Sequence, residues 1–109
     1  MTFHIQYVDI SNEKRRLILE TYSPSNFDYL CQEDNKKFPL LSEVDPYYAV
    51  DFRPGNMDNL IIELEKIKLT IEGLQEVSHV EKIISMCENC KSRKSSTIVF
   101  NPFNPLIIS

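Results

Sequence analysis

Apolar residues recur at three- and four-residue steps from Asn56 to Leu74: Met57, Leu60, Ile61, Leu64, Ile67, the stem of Lys68, Ile71 and Leu74. That spacing predicts a helix with one buried stripe. Pro54-Gly55 breaks the preceding segment, Asn56 is placed to cap the first turn, and Asp58 sits at the positive end of the helix dipole. Glu63 with Lys66 and Glu65 with Lys68 are three apart on the side the stripe leaves wet, and such pairs contribute too little to hold a helix alone. Another layer must cover the stripe. Gly73 suits the end of this helix and Ser78 the cap of a second, whose stripe is Val80, Ile83, Ile84 and Cys87. Lys91, Arg93 and Lys94 follow where a helix C-terminus favours cations, and the short link predicts an antiparallel pair.

Elsewhere the period drops to two. Phe3, Ile5 and Tyr7 alternate with His4, Gln6 and Val8, which predicts a strand over residues 3–10. Arg16 to Tyr22 alternates likewise and, after a turn at 11–14, predicts the second arm of a hairpin, with a short helix over 13–20 as the competitor. Phe27 to Cys31 reads as a helical turn or irregular segment, and Gln32 to Lys37 as a polar loop. Phe38–Asp45 and Tyr47–Arg53 read as a second hairpin turning at Asp45-Pro46. In it Tyr48, Val50 and Phe52 face the core, while Tyr47, Ala49, Asp51 and Arg53 face outward. Thr97 to Phe100 is a short strand stopped by Pro102, and Leu106 to Ile108 is a last apolar run beyond a turn at 101–105. The expected fold is α+β, one domain over 1–109: an antiparallel sheet of four or five strands with two antiparallel helices packed on one face.

Composition removes several function classes. A chain of 109 residues with two glycines and 42% hydrophobic residues has the makings of one core and lacks a glycine-rich phosphate loop. Its net charge of −4 argues against direct binding of nucleic acid. The opening residues carry no basic-then-apolar leader, no run suits a membrane span, and three cysteines are an odd number, so a cytoplasmic location is expected. Cys87 and Cys90 form a C-x-x-C, but no second pair accompanies it, and both fall inside a helical run. Cys87 therefore reads as core packing and Cys90 as incidental, with no metal and no cofactor expected. His4 and His79 read as partly exposed residues of a strand and a helix start. Hydrolase, metalloprotease and phosphate-loop signatures are missing, so no catalytic residues are assigned and the chain reads as a non-enzyme.

Charge distribution says more. Residues 40–65 hold six acids (Glu43, Asp45, Asp51, Asp58, Glu63 and Glu65) and one base, Arg53, a local charge of −5 in a chain of −4. Glu63 and Glu65 have lysine neighbours. Glu43, Asp45, Tyr47, Asp51 and Asp58 remain as candidate binding residues, because acids beside tyrosines suit docking on a basic protein surface.

The run Phe38-Pro-Leu-Leu-Ser-Glu-Val-Asp-Pro-Tyr47, then Val50-Asp-Phe and Asn56-Met-Asp-Asn-Leu-Ile-Ile-Glu-Leu64, resembles a block found in small bacterial proteins of polymorphic-toxin neighbourhoods. Over about a quarter of its length the chain is similar to cytoplasmic immunity proteins of contact-dependent growth inhibition systems. The resemblance implies a non-enzymatic partner that forms a heterodimer with one cognate toxin domain, here expected to be a basic nuclease, by covering its active site or substrate groove. It implies no membrane, nucleic acid or small-molecule ligand, and it assigns no individual residue. A regulatory or adaptor module without a toxin is the alternative.

Overall fold

The computed structural model describes residues 2–11 and 14–103. Four strands form one antiparallel sheet: β1 (His4–Asp9), β2 (Arg16–Thr21), β3 (Val50–Phe52) and β4 (Ser96–Asn101), in the spatial order β2-β1-β4-β3. A one-turn helix α1 (Phe27–Leu30) follows the first hairpin, and two longer helices, α2 (Met57–Lys68) and α3 (Leu74–Lys91), separate β3 from β4. The expected α+β class, the first hairpin and the strand near residue 98 are all present. The turn residues Asn12 and Glu13 and the apolar run from Leu106 to Ile108 lie outside the described residues.

Alternation explains which sheet face meets the helices. Ile5 and Tyr7 of β1, Ile98 and Phe100 of β4 and Phe52 of β3 join Leu60, Leu64 and Ile67 of α2 and Val80, Ile83, Ile84 and Cys87 of α3 in one core. Phe100 is its centre, with ring centroids 5.5 Å from Phe52 and 6.3 Å from Phe3, both edge-on. The two helices run antiparallel. Lys91 at the end of α3 reaches Asp58 at the start of α2 at 2.6 Å, and Lys68 at the end of α2 reaches Glu81 of α3 at 3.9 Å.

Helix limits differ from those the periodicity predicts. A 3-10 turn over Pro54–Asn56 leads into α2, and the Asn56 side chain makes no capping bond. α2 ends at Lys68 because Thr70 turns back, its amide and its hydroxyl both bonding to the Ile67 carbonyl, at 2.9 and 2.8 Å. Gly73 does not close α2; it is the extended residue before α3, and Ser78 lies inside α3. Leu74 is therefore exposed on α3 and does not extend the α2 stripe.

The second hairpin does not form. Residues 38–45 are wound into turns, with Phe38 N–H donating to Asp34 O, Ser42 N–H to Phe38 O and Glu43 N–H to Leu40 O, and a 3-10 turn at Leu41–Glu43. The buried residues Phe38, Leu41 and Val44 stand three apart, a helical spacing. Glu63 explains why: the carboxylate read as wet is buried and accepts the Leu40 N–H at 3.1 Å and the Leu41 N–H at 2.9 Å. Those amides are thus satisfied by a side chain of α2 and not by a strand partner. β3 pairs with β4 instead, Val50 opposite Phe100 and Phe52 opposite Ile98.

Candidate protein-docking surface

The predicted binding residues belong to the segment between Leu41 and Asp58, which is pinned at its base and free at its tip. Leu41 and Val44 are buried, the Glu63 carboxylate holds the first turn, and the Cys31 thiol donates to Val44 O at 3.5 Å. Asp45 then makes a short Asx turn, its Oδ1 accepting the Tyr47 N–H at 2.7 Å. This turn carries the chain outward. Tyr47 and Tyr48 are 72% and 68% exposed, so Tyr48 does not face the core as the hairpin pattern predicts. Val50 is half-buried and Phe52 buried, as expected.

Structure divides the five candidate residues into two groups. Glu43, Asp45 and Tyr47 lie together on the turn, and Glu43 and Asp45 form no ion pair among the described residues. Asp51, on β3, is reached by Arg15 from the β1–β2 connection at 3.2 Å, and Asp58 holds Lys91 at 2.6 Å. These two acids brace the fold's own elements, and hydrogen bonding to Asp58 raises the Lys91 pKa. Their charges are partly spent before any partner arrives.

The cysteines and histidines have roles the sequence hid. Both Cys87 and Cys90 are fully buried, so Cys90 is not incidental: the Ser96 hydroxyl at the start of β4 lies 3.3 Å from its sulfur. Burial raises both thiol pKa values, which leaves little thiolate for redox or metal chemistry. Among the described residues no three of His, Cys, Asp and Glu are grouped to hold a metal ion.

His79 is buried, contrary to its reading as a partly exposed helix-start residue. Asn26 fixes its tautomer. Phe3 N–H donates to Asn26 Oδ1 at 2.6 Å, so Nδ2 is the group facing His79 Nε2 at 3.1 Å, and it also donates to Phe3 O at 2.9 Å. Nε2 is then an acceptor, and the proton sits on Nδ1, 3.4 Å from the Thr21 hydroxyl. Desolvation, aided by the nearby Lys82 cation, pushes the His79 pKa down to about 4. Neutral His79 ties α3 to the end of β2 and to the residue before α1. Asn26 ends the run Ser23-Pro24-Ser25-Asn26, whose composition suits any turn and does not distinguish a buried bridge from a solvated one.

The bases are equally ordered. Lys14, Arg15, Arg16, Arg53, Lys91, Arg93 and Lys94, seven of the twelve, come from segments that meet at the end of the sheet where β2 and β4 begin. Asp9 holds two of them: it accepts the Ser11 N–H at 2.9 Å and Arg93 at 2.9 Å, with Arg16 at 3.5 Å. The Ser11 bonds first and the guanidinium of Arg93 after them hold the Asp9 carboxyl below its ordinary pKa. A net charge of −4 conceals this basic end.

No protein-family model, curated protein or solved structure matches this chain. Among the described residues no helix is long and apolar enough to cross a membrane.

Proposed function

We propose that the chain is a protein-binding inhibitor, a cytoplasmic bacterial immunity protein that covers the basic groove of a toxin domain, a nuclease in the first instance, with the turn bearing Glu43, Asp45, Tyr47 and Tyr48. One observation carries this reading: two adjacent tyrosines stand out in solvent on a turn whose base is buried and clamped by Glu63. Tyrosines give large contact area at little entropic cost, and a pre-set turn loses little freedom on binding. Acids around them suit a surface shaped for phosphates and would be steered to it at a rate that salt suppresses. Asp51 and Asp58 are left out of this surface because Arg15 and Lys91 already hold them.

The test is co-expression with the toxin encoded beside this gene, scored by survival and by binding at two salt concentrations. Tyr47→Ala with Tyr48→Ala should weaken binding by about 2 kcal/mol or more and remove protection, with the unfolding temperature unchanged. Glu43→Lys with Asp45→Asn should chiefly slow association. Full protection by a folded Tyr47→Ala/Tyr48→Ala variant would refute the assignment, and a neighbourhood without any toxin gene would favour an adaptor module using the same turn.

A further inference from the structure

The outer edge of β2 is the second surface of note, on the opposite side of the sheet from β3. Among the described residues β2 is bonded to β1 alone. Edge strands are ordinarily protected by charges, prolines, bulges or short length, because their open N–H and C=O groups accept any extended chain. Here Leu17, Ile18 and Leu19 stand in succession, 52%, 39% and 52% exposed. Tyr7 pairs with Leu19 and Val8 with Leu17, so Ile18 is the extra residue of a bulge. The bulge lets Ile18 and Leu19 both line an open groove of about 620 Å³ with Tyr7, Asn89, Ser92 and Arg93.

Arg93 also belongs to the adjoining cleft of about 530 Å³, whose other walls are Asp9, Ser11, Lys14, Arg15 and Arg16. Four cations line it, of which Arg16 and Arg93 engage Asp9 and Arg15 reaches Asp51 of β3. Two carboxylates thus offset four cations and a net positive charge remains, with Lys14 in no ion pair among the described residues. An apolar groove thus continues into a cationic one along the outer edge of β2, which pairs only with β1 among the described residues.

We propose that β2 accepts an extended acidic segment of a partner protein as a fifth strand, apolar side chains seated in the Ile18–Leu19 groove and carboxylates in the Lys14–Arg16–Arg93 cleft. Backbone hydrogen bonds along the edge supply affinity and the two grooves supply selection. In the antiparallel arrangement of the rest of the sheet, the incoming strand ends beside Arg16. Its sequence is therefore apolar first and acidic last. This surface shares no residue with the tyrosine turn, so the failure of either reading leaves the other standing.

The probe is a fluorescein-labelled synthetic peptide of alternating valine and threonine followed by aspartates, with two controls: the same residues with the aspartates first, and the aspartates replaced by lysines. Binding to the full chain is followed by anisotropy, and its location by amide NMR. Only the aspartate-last peptide should bind well, with the largest shifts at residues 16–21. Ile18→Asp, and separately Lys14→Glu, should weaken it about tenfold or more with the unfolding temperature retained. Equal binding of the lysine peptide, no binding by any peptide, or shifts confined to residues 43–51 would overturn the proposal. So would self-association that Ile18→Asp abolishes, since the edge would then belong to a second copy of the chain.

Discussion

β2 and β4 are each six residues long, and each has three large apolar residues in a row, Leu17-Ile18-Leu19 and Ile98-Val99-Phe100. All six residues of β4 are buried, whereas the first four of β2 are exposed. The difference lies wholly in position. β4 lies between β1 and β3 and β2 at the rim, so burial is set by pairings between distant parts of the chain rather than by strand composition.

The sharpest test of that contrast is to replace one large apolar side chain in each strand. Phe100→Ala should destabilise by about 3–5 kcal/mol, because it opens a cavity between Phe3 and Phe52. Measured by denaturant unfolding, a loss under about 1 kcal/mol would mean that the two strands do not differ as their burial implies.

The next effect sits where β2 leaves the rim and meets the core. Neutral His79 bonds to Thr21 at that point, and its folded pKa of about 4 lies below the ordinary 6.5. The unfolded chain therefore binds more protons between those values. His79 contributes stability that is complete above about pH 6.5 and is lost as pH falls toward 4, on the order of 2–3 kcal/mol. Asp9, its pKa lowered from 3.8, loses its contribution only in a more acidic window. Unfolding followed from pH 7.5 to 4.5 should give a steep loss, flattened in His79→Gln; equal slopes would place the titration elsewhere.

Glu63→Gln comes next, at about 1–3 kcal/mol, through weakened charge-assisted bonds to the Leu40 and Leu41 amides. Hydrogen exchange at those two amides should accelerate by more than exchange in the middle of α3. Smallest is Leu17→Thr at the rim, expected within about 0.5 kcal/mol, and a larger loss would show that this edge is covered in solution.

The sequence disclosed what depends on neighbours and hid what depends on distant partners. Periodicity located the first hairpin, the stripes of α2 and α3 and the last strand, because each repeats over several turns or pleats. It misjudged residues 38–45, where strand-forming Phe38, Leu40, Leu41 and Val44 wind into turns around a carboxylate from α2. Spacing of the buried residues there was already three, but one repeat is too short to outweigh composition. The acidic patch was visible in the sequence, yet its division was not: Arg15 lies 36 residues from Asp51 and Lys91 closes on Asp58 from another helix. For the same reason the basic end was legible only in pieces: Lys91, Arg93 and Lys94 read as a helix terminus, and they join Lys14, Arg15, Arg16 and Arg53 only when the sheet closes.

That closure bears on how the protein comes into being. The two central strands, β1 and β4, pair Ile5 with Phe100 and Asp9 with Ser96, so the sheet's middle seam joins segments separated by nearly the whole described chain. Such high contact order predicts folding in milliseconds to seconds rather than microseconds. On a ribosome, β1 and its apolar companion β2 emerge before the strand that completes the seam. The nascent chain must therefore carry an open two-stranded ribbon, at risk of pairing with another such ribbon, until β4 arrives to claim its place.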